Sequence, residues 1–452
     1  MTNIDNIKEK INIEETQLKR VFNELKTAYN AAPASTYQDR KSLLMTLKKS
    51  LIDNEEMLYS AMNKDYGYRS SFDSMIGDVL PCISTINYTL KNLKKWMQPS
   101  KRRSGLMLQP SSIKVHYQPL GVVGVITSWN FPCFLALGPA IQALSAGNRV
   151  MIKMSEFTPS TNQVIRKILT PLSDYIVIIE GEPNISAVFS SLPFDHLIFT
   201  GSTAVGKLVA KAAAHNLTPT TLELGGKSPM LVFEDSDIEK AVSGITFGCF
   251  IASGQTCIAG TRLLIQRSIS EKFLASLKKK ILSLKIGDPY SLETNIGPVI
   301  SKDSLLRIDK KIKEAVKEGG EIIVGGKIHK KITSGFFYEP TVILTKNIAK
   351  IAQEELFGPV LSCIIFDTEE DAIRLANDSK YGLAASIWTE NLARGHRVAS
   401  KLDCGIIWIN DHHKNDPSSP WGGFKNSGIG RENGYEAYMQ YTHTRSVIAN
   451  YS

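Results

Sequence analysis

Hydrophobic positions in the first hundred residues recur at three- and four-residue spacing, in VFNELKTAYN, RKSLLMTLKKSLIDNEEMLYSAMNKDYG and MIGDVLPCISTINYTLKNLKKWM. That period stacks apolar side chains on one helix face, so the segment reads as helical. KRRSGLMLQPSSIKVHYQPLG then breaks the period, and its basic turn beside alternating IKVHY predicts a hairpin standing off the body. From Val122 onward the β-rich runs VVGVIT, RVMIK, YIVIIE, HLIFT, PTTLEL and PMLVF alternate with helical patterns such as PAIQALSA and AVGKLVAKAAA. Alternation of this kind predicts a parallel, doubly wound sheet. A second α/β series follows DSDIEKAVSGITFGCF, with TRLLIQ, EIIVGG, LSCIIF, ASIWT and GIIWIN as its strands.

Residues 117–148 carry no charged side chain, which on length alone suggests a membrane span. Asn130, Pro132, Gly138, Pro139 and Gln142 interrupt the run, so a buried strand, a loop and a buried helix fit it better. Six scattered cysteines without a C-x-x-C argue against a disulfide scaffold, a redox pair or a zinc ribbon. The polar N-terminus shows no signal-peptide pattern, and a reducing cytoplasm is the expected setting. A net charge of +9 raises the question of nucleic acid. The lysines at 278–280, 310–311 and 330–331 lack interleaved aromatics, so they read as solvated helix faces. Neither nucleic acid nor membrane is an expected partner.

Three stretches carry chemistry. In HLIFTGSTAVGKL, Gly201 and Gly206–Lys207 nearly spell the phosphate loop of an ATPase, but Leu208 stands where a Mg²⁺-binding hydroxyl belongs. The turn lies between a strand and a helix, and it reads either as an anion site at the helix start or as a plain tight turn. In TLELGGKSP, Glu223 ends an apolar run, an environment that raises a carboxyl pKa toward general-base duty; the alternative is a turn cap paired with Lys227. In FIASGQTCIAGTR, Cys257 lies among small residues that leave its sulfur approachable, as a nucleophile or as a buried structural cysteine. Cys249 reads as structural.

GQTC, LELGGKS, FTGSTAVG, TSWNFP and EELFGP, in combination, resemble the NAD(P)-dependent aldehyde dehydrogenases over residues 35–447. The resemblance implies a Rossmann-like cofactor domain (1–100 and 120–225), an α/β catalytic domain (226–425) and a small β oligomerisation element (101–119 and 440–452). It implies Cys257 as nucleophile, Asn130 as an oxyanion donor and Glu223 as the base that activates water. Around the cofactor it implies Trp129, Lys153, Glu156, Gly201, Ser202, Gly206, Leu224, Glu355 and Phe357. An acid such as Glu156 near the adenosine ribose favours NAD, with NADP as the alternative. The turn at 201–206 then holds a pyrophosphate without Mg²⁺, and Leu208 is no obstacle. A homodimer or homotetramer is expected, as is the absence of a bound metal.

The N-terminal half, with YGYRSS, YQPLGVVGVI and LPFDHLIFTGSTAVG, looks like coniferyl aldehyde and class 3 enzymes. The C-terminal half, with TCIAGTRLLIQ and SPWGGFKNSGIGRENG, looks more like betaine, aminoaldehyde and semialdehyde enzymes. Phe131 and Trp421 are candidates for an aromatic substrate wall, or for ordinary packing. A P-loop phosphotransferase and a scaffold that has lost its chemistry are the competing classes.

Overall fold

The computed structural model describes residues 3–67, 69–287, 294–332 and 335–451, with side chains from residue 15 onward. Among the described residues the parallel strands gather into two sheets. One has the order Gly428–Ile429, Thr220–Glu223, His196–Thr200, Val122–Ile126, Arg149–Lys153, Ile176–Ile179. Only its first strand runs antiparallel to its neighbour. Chain order steps outward from Val122–Ile126 in one direction and then returns to fill the other side. The crevice at the carboxyl ends of these strands is where doubly wound sheets bind ligands.

The second sheet runs Glu321–Val324, Thr341–Leu344, Val360–Phe366, Arg262–Gln266, Pro229–Val232, Ala384–Trp388, Ile406–Ile409. Its strands are parallel apart from the antiparallel edge at Glu321–Val324. The five strands between its two edges are apolar and buried through their centres, as parallel strands covered on both faces must be. The chain passes between the sheets through 224–228. The carboxyl end of Thr220–Glu223 is thereby brought to the amino ends of Pro229–Val232 and Arg262–Gln266.

A third, antiparallel sheet joins Ser100–Arg102, Ser112–Pro119 and Thr442–Ala449. It agrees with the expected hairpin and adds the C-terminal strand.

The N-terminus is helical, as the spacing predicts, and the stretch 40–67 falls in two helices, Tyr37–Asp53 and Glu55–Tyr66. Asn54 adopts φ −123° and ψ 12°, and its Nδ2 donates to Ser50 O at 2.8 Å. A short amide side chain that bonds the preceding turn competes with helix continuation. Further on, a π-helical turn at Met75–Val79 feeds the helix Leu80–Trp96. Leu44, Leu47, Leu58, Met62, Val79 and Ile86 pack with the helix Pro132–Ser145 into one core.

Candidate active site

The first sheet supplies one wall of the site from its strand ends. After Val122–Ile126 the chain turns through Ser128, Trp129 and Asn130. After His196–Thr200 it turns through Gly201 and Ser202 into the helix Thr203–Ala214. The Ser202 hydroxyl accepts the Val205 N–H at 3.4 Å, capping that helix. Glu223 is the last residue of its strand. These segments, with Leu224, Gly225, Cys257, Glu355, Phe357 and Lys380, line a cavity of about 620 Å³.

Cys257 reaches the cavity through an unusual turn. Ala252 (φ 49°), Ser253 (φ 57°) and Gly254 (φ 72°) are left-handed in succession, a conformation that costs energy in residues other than glycine. A Cβ on Gly254 would lie 2.3 Å from Gly358 O, so the turn presses directly on the segment carrying Phe357. Gln255 fastens the loop: its Oε1 accepts Ile300 N–H at 2.8 Å, and its Nε2 donates to Ala252 O at 3.1 Å. Asn130 closes the other side, with Nδ2 donating to Gln255 O at 3.1 Å and Oδ1 accepting Ser128 Oγ–H at 2.6 Å.

Burial sets the electrostatics. The Cys257 thiol is pushed up to about 12 by burial, then by the Glu223 and Glu355 carboxylates, while the N–H groups of Ile258 and Cys257 oppose the shift. Glu223 is held well above the usual carboxylate range, first by burial and then by Glu432, with Arg431 opposing. Its Oε1 has no hydrogen-bond partner, and a Cβ on Gly422 would sit 2.9 Å from that atom. Glu355 is raised to about 7 by burial, although it accepts the Gly226 N–H at 3.1 Å. Both shifts run the same way, toward the protonated carboxyl and the neutral thiol.

Of the residues singled out from sequence, Trp129, Asn130, Gly201, Ser202, Glu223, Leu224, Cys257, Glu355 and Phe357 meet in this one cavity. The Trp129 and Phe357 rings lie edge to face, centroids 5.4 Å apart. Gly206 packs against Leu224, where a Cβ would come within 2.5 Å of Cδ2, and so brings the helix close to the strand. Lys153 ends the strand next to Val122–Ile126, with its Nζ 3.7 Å from Glu156 and donating to Met154 O. Phe131 immediately precedes the helix Pro132–Ser145, and Trp421, like Cys257 and Trp408, packs against the buried cluster of Ile258, Leu383 and Ala384. The alternative pairing of Glu223 with Lys227 does not form: Lys227 Nζ is buried without a hydrogen-bond partner. Cys249 is fully buried.

Sequence reasoning passed over Glu432, which is half-buried near Glu223 and accepts the Tyr441 hydroxyl at 2.8 Å. The antiparallel bridge between Trp421 and Glu432 places it, and a long-range bridge leaves no local signal. Gln255 was legible as part of GQTC but not as the staple of the loop.

Residues 3–447 match the Aldehyde dehydrogenase family. The chain is 35% identical over 442 residues to a Pseudomonas aeruginosa protein named "Probable coniferyl aldehyde dehydrogenase", covering 96% of this chain and 91% of that one. It is 38% identical over 348 residues to the betaine aldehyde dehydrogenase of Bacillus subtilis, covering 75% and 71%. Among solved structures, that of betaine aldehyde dehydrogenase from Staphylococcus aureus in complex with NAD+ superposes with a TM-score of 0.91 at 33% identity. The superposition covers 96% of this chain and 88% of that one. The order of the two sheets, the strained turn before Cys257 and the shared cavity thus have one explanation: this chain belongs to the aldehyde dehydrogenase family.

Proposed function

We propose that the chain oxidises an aromatic or long apolar aldehyde to its acid with NAD+, through Cys257, Asn130 and Glu223. The convergence of these three side chains on one cavity with the Gly201–Ser202 turn carries the reading. Glu223 takes the Cys257 proton, and the sulfur attacks the carbonyl carbon. The oxygen that gains charge is held by the Asn130 amide and the Cys257 N–H, donors fixed before the reaction begins. Bound NAD+ would supply the hydride acceptor, and loss of hydride from the adduct leaves a thioester on Cys257. Glu223 gives up that first proton to solvent and then removes a proton from water, which attacks the thioester; the thiolate leaves, takes the proton back from Glu223, and the acid is released.

The residues present fit a dinucleotide. Ser202 and the start of Thr203–Ala214 suit a pyrophosphate, with Lys207 alongside. Glu355 lies over Gly225, where a Cβ would stand 1.9 Å from Oε2, and suits a ribose hydroxyl. Glu156, beside Lys153 at a strand end, supports NAD over NADP.

For the aldehyde, Trp421 and Phe131 offer an apolar wall. Trp408, which packs against the same buried cluster as Trp421, begins a continuous row of rings with His412, His413 and Phe247, with centroids 4.8, 4.9 and 5.8 Å apart in succession. Burial depresses His412 to about 3 and His413 to about 4, so the row stays uncharged. Aromatic faces also attract cations, and this supports betaine, amino- or semialdehydes as the second reading. The test is NADH production with benzaldehyde, hexanal, betaine aldehyde and succinic semialdehyde, with NADP+ in parallel. Absence of turnover with all four refutes the proposal; a preference for betaine aldehyde selects the second reading.

The third sheet supports assembly into a dimer or tetramer. Leu106 and Met107 are 90% and 98% exposed at its tip, and Ile448 and Tyr451 are exposed on its edge. Light scattering of the purified chain decides the subunit number. Among the described residues no helix is long and apolar enough to cross a membrane. The six cysteines are all unpaired, which supports a reducing, cytoplasmic setting.

A further inference from the structure

Behind the Asn130 amide lies a charged pair that the proposed reaction does not use. Arg69 and Asp78 are almost wholly buried, and Arg69 Nη2 donates to Asp78 Oδ2 at 2.7 Å. Arg69 Nη1 donates to Asn130 O at 2.7 Å. The Tyr66 hydroxyl donates to Trp129 O. Asp78 Oδ1 accepts the N–H groups of Cys133 at 2.9 Å and Phe134 at 3.0 Å. These are orphan donors in the first turn of Pro132–Ser145, so the carboxylate serves that helix as a distant cap. The carbonyls of 129 and 130 and the N–H groups of 133 and 134 are thus bound by three side chains of the N-terminal helical region.

Burying a full ion pair is expensive unless further hydrogen bonds satisfy it, and here the bonds run to the residue carrying the oxyanion amide and its neighbours. The π-helical turn Met75–Val79 presents Asp78, and such turns are frequent at functional sites. The Arg69 guanidinium also lies over the Tyr66 and Phe131 rings, 4.8 and 5.2 Å from their centroids. Arg69 does border a second cavity of about 500 Å³. Its terminal nitrogens are engaged and its Nε is sealed from solvent, so it has little to offer a ligand there.

We propose that Arg69, held by Asp78, is a positioning residue for the oxyanion site: it locks the Trp129–Phe131 backbone so that the Asn130 amide faces Cys257. The inference rests on the reading of Asn130 as the oxyanion donor. A lysine at 69 keeps the charge but lacks the planar fork that reaches Asp78 and Asn130 O together.

The test compares Arg69→Lys, Asn130→Ala and the double variant, using benzaldehyde and propanal with NAD+. Asn130→Ala lowers kcat by about 10²- to 10³-fold, the usual loss for one oxyanion donor. Arg69→Lys lowers kcat by roughly tenfold while the NAD+ dissociation constant is unchanged, a displacement of the amide by a fraction of an ångström. In the double variant the Arg69 loss vanishes, because no amide remains to be misplaced. Tyr66→Phe, which removes one hydroxyl without opening a cavity, gives a smaller loss that also vanishes beside Asn130→Ala and serves if Arg69→Lys does not fold.

Losses that multiply in the double variants overturn the inference, as does an Arg69→Lys or Tyr66→Phe enzyme with normal kcat. An Asn130→Ala enzyme of normal kcat overturns the oxyanion reading itself, and the inference with it.

Discussion

The two sides of the Cys257 sulfur are built by different means. Toward the cofactor cleft, Gly201, Ser202, Glu223 and Gly225 stand at or just beyond the ends of adjacent parallel strands, held by sheet register. Toward the proposed aldehyde side, Asn130 and Phe131 depend on Arg69, Asp78 and Gly77, and Trp421 depends on one bridge to Glu432. A wall made of strand ends tolerates most side-chain changes but not a Cβ where backbone must approach. A wall made of distant side chains fails one contact at a time. The two sides are expected to separate experimentally into cofactor affinity and turnover.

The largest effect is expected where the sides meet. Cys257→Ala abolishes aldehyde-dependent NADH formation while NAD+ still binds, measured by fluorescence titration. Residual dehydrogenase activity in that variant is incompatible with the mechanism. Glu223→Gln follows, with a roughly 10²-fold fall in the steady-state rate through slow deacylation, within the usual range for a positioned base. An initial burst of NADH survives if Glu223 acts mainly on water, and is lost if the thiol also depends on it.

The same variant has a stability signature. The folded Glu223 pKa lies well above 4.5, its ordinary value. Between those two pH values the unfolded chain ionises this group and the native one does not, so native stability falls as pH rises from about 4.5. Glu223→Gln removes that loss and melts above wild type at pH 8, the two converging near pH 4. Equal melting temperatures at pH 8 would mean that the fold does not raise the Glu223 pKa.

The contrast between the two sides also governs what could be read from sequence. The strand ends announce themselves: an apolar run followed by small residues, as in HLIFTGS and TLELGG, marks both the strand and the place where a ligand can approach. GQTC marks Cys257 in the same way, because small residues must surround a sulfur that a substrate reaches. Arg69 in YGYRSSFDS carries no comparable mark, since its partners Asn130 and Asp78 are fixed by packing between segments that share no period. Gly206, a motif glycine, packs against Leu224 and brings the helix close to the strand. The break at Asn54 has no mark in the apolar spacing, which continues through a residue whose amide ends the helix.

A matched pair of glycine substitutions sharpens the division. Gly225→Ala sets a Cβ 1.9 Å from Glu355 Oε2 and forces that carboxylate off the backbone it covers. NAD+ affinity is expected to fall roughly tenfold, with little change in kcat at saturating cofactor, on the scale of one lost charge-assisted hydrogen bond. If kcat falls and affinity holds, Glu355 does not act on the cofactor side.

Gly77→Ala is the counterpart and the smallest effect. Its Cβ would meet the Phe131 ring at 2.6 Å, and the ring is the softer party because it is only half-buried. The ring swings, the aldehyde wall shifts, and KM for benzaldehyde rises by about threefold, the order expected when a side chain is moved rather than removed. NAD+ affinity stays at the wild-type value, since none of the strand ends at 126, 200 or 223 moves. Propanal, too small to span the wall, loses less than benzaldehyde. An equal loss for the two aldehydes would place the disturbance at the Asn130 amide and not at the ring, because the amide serves every aldehyde alike.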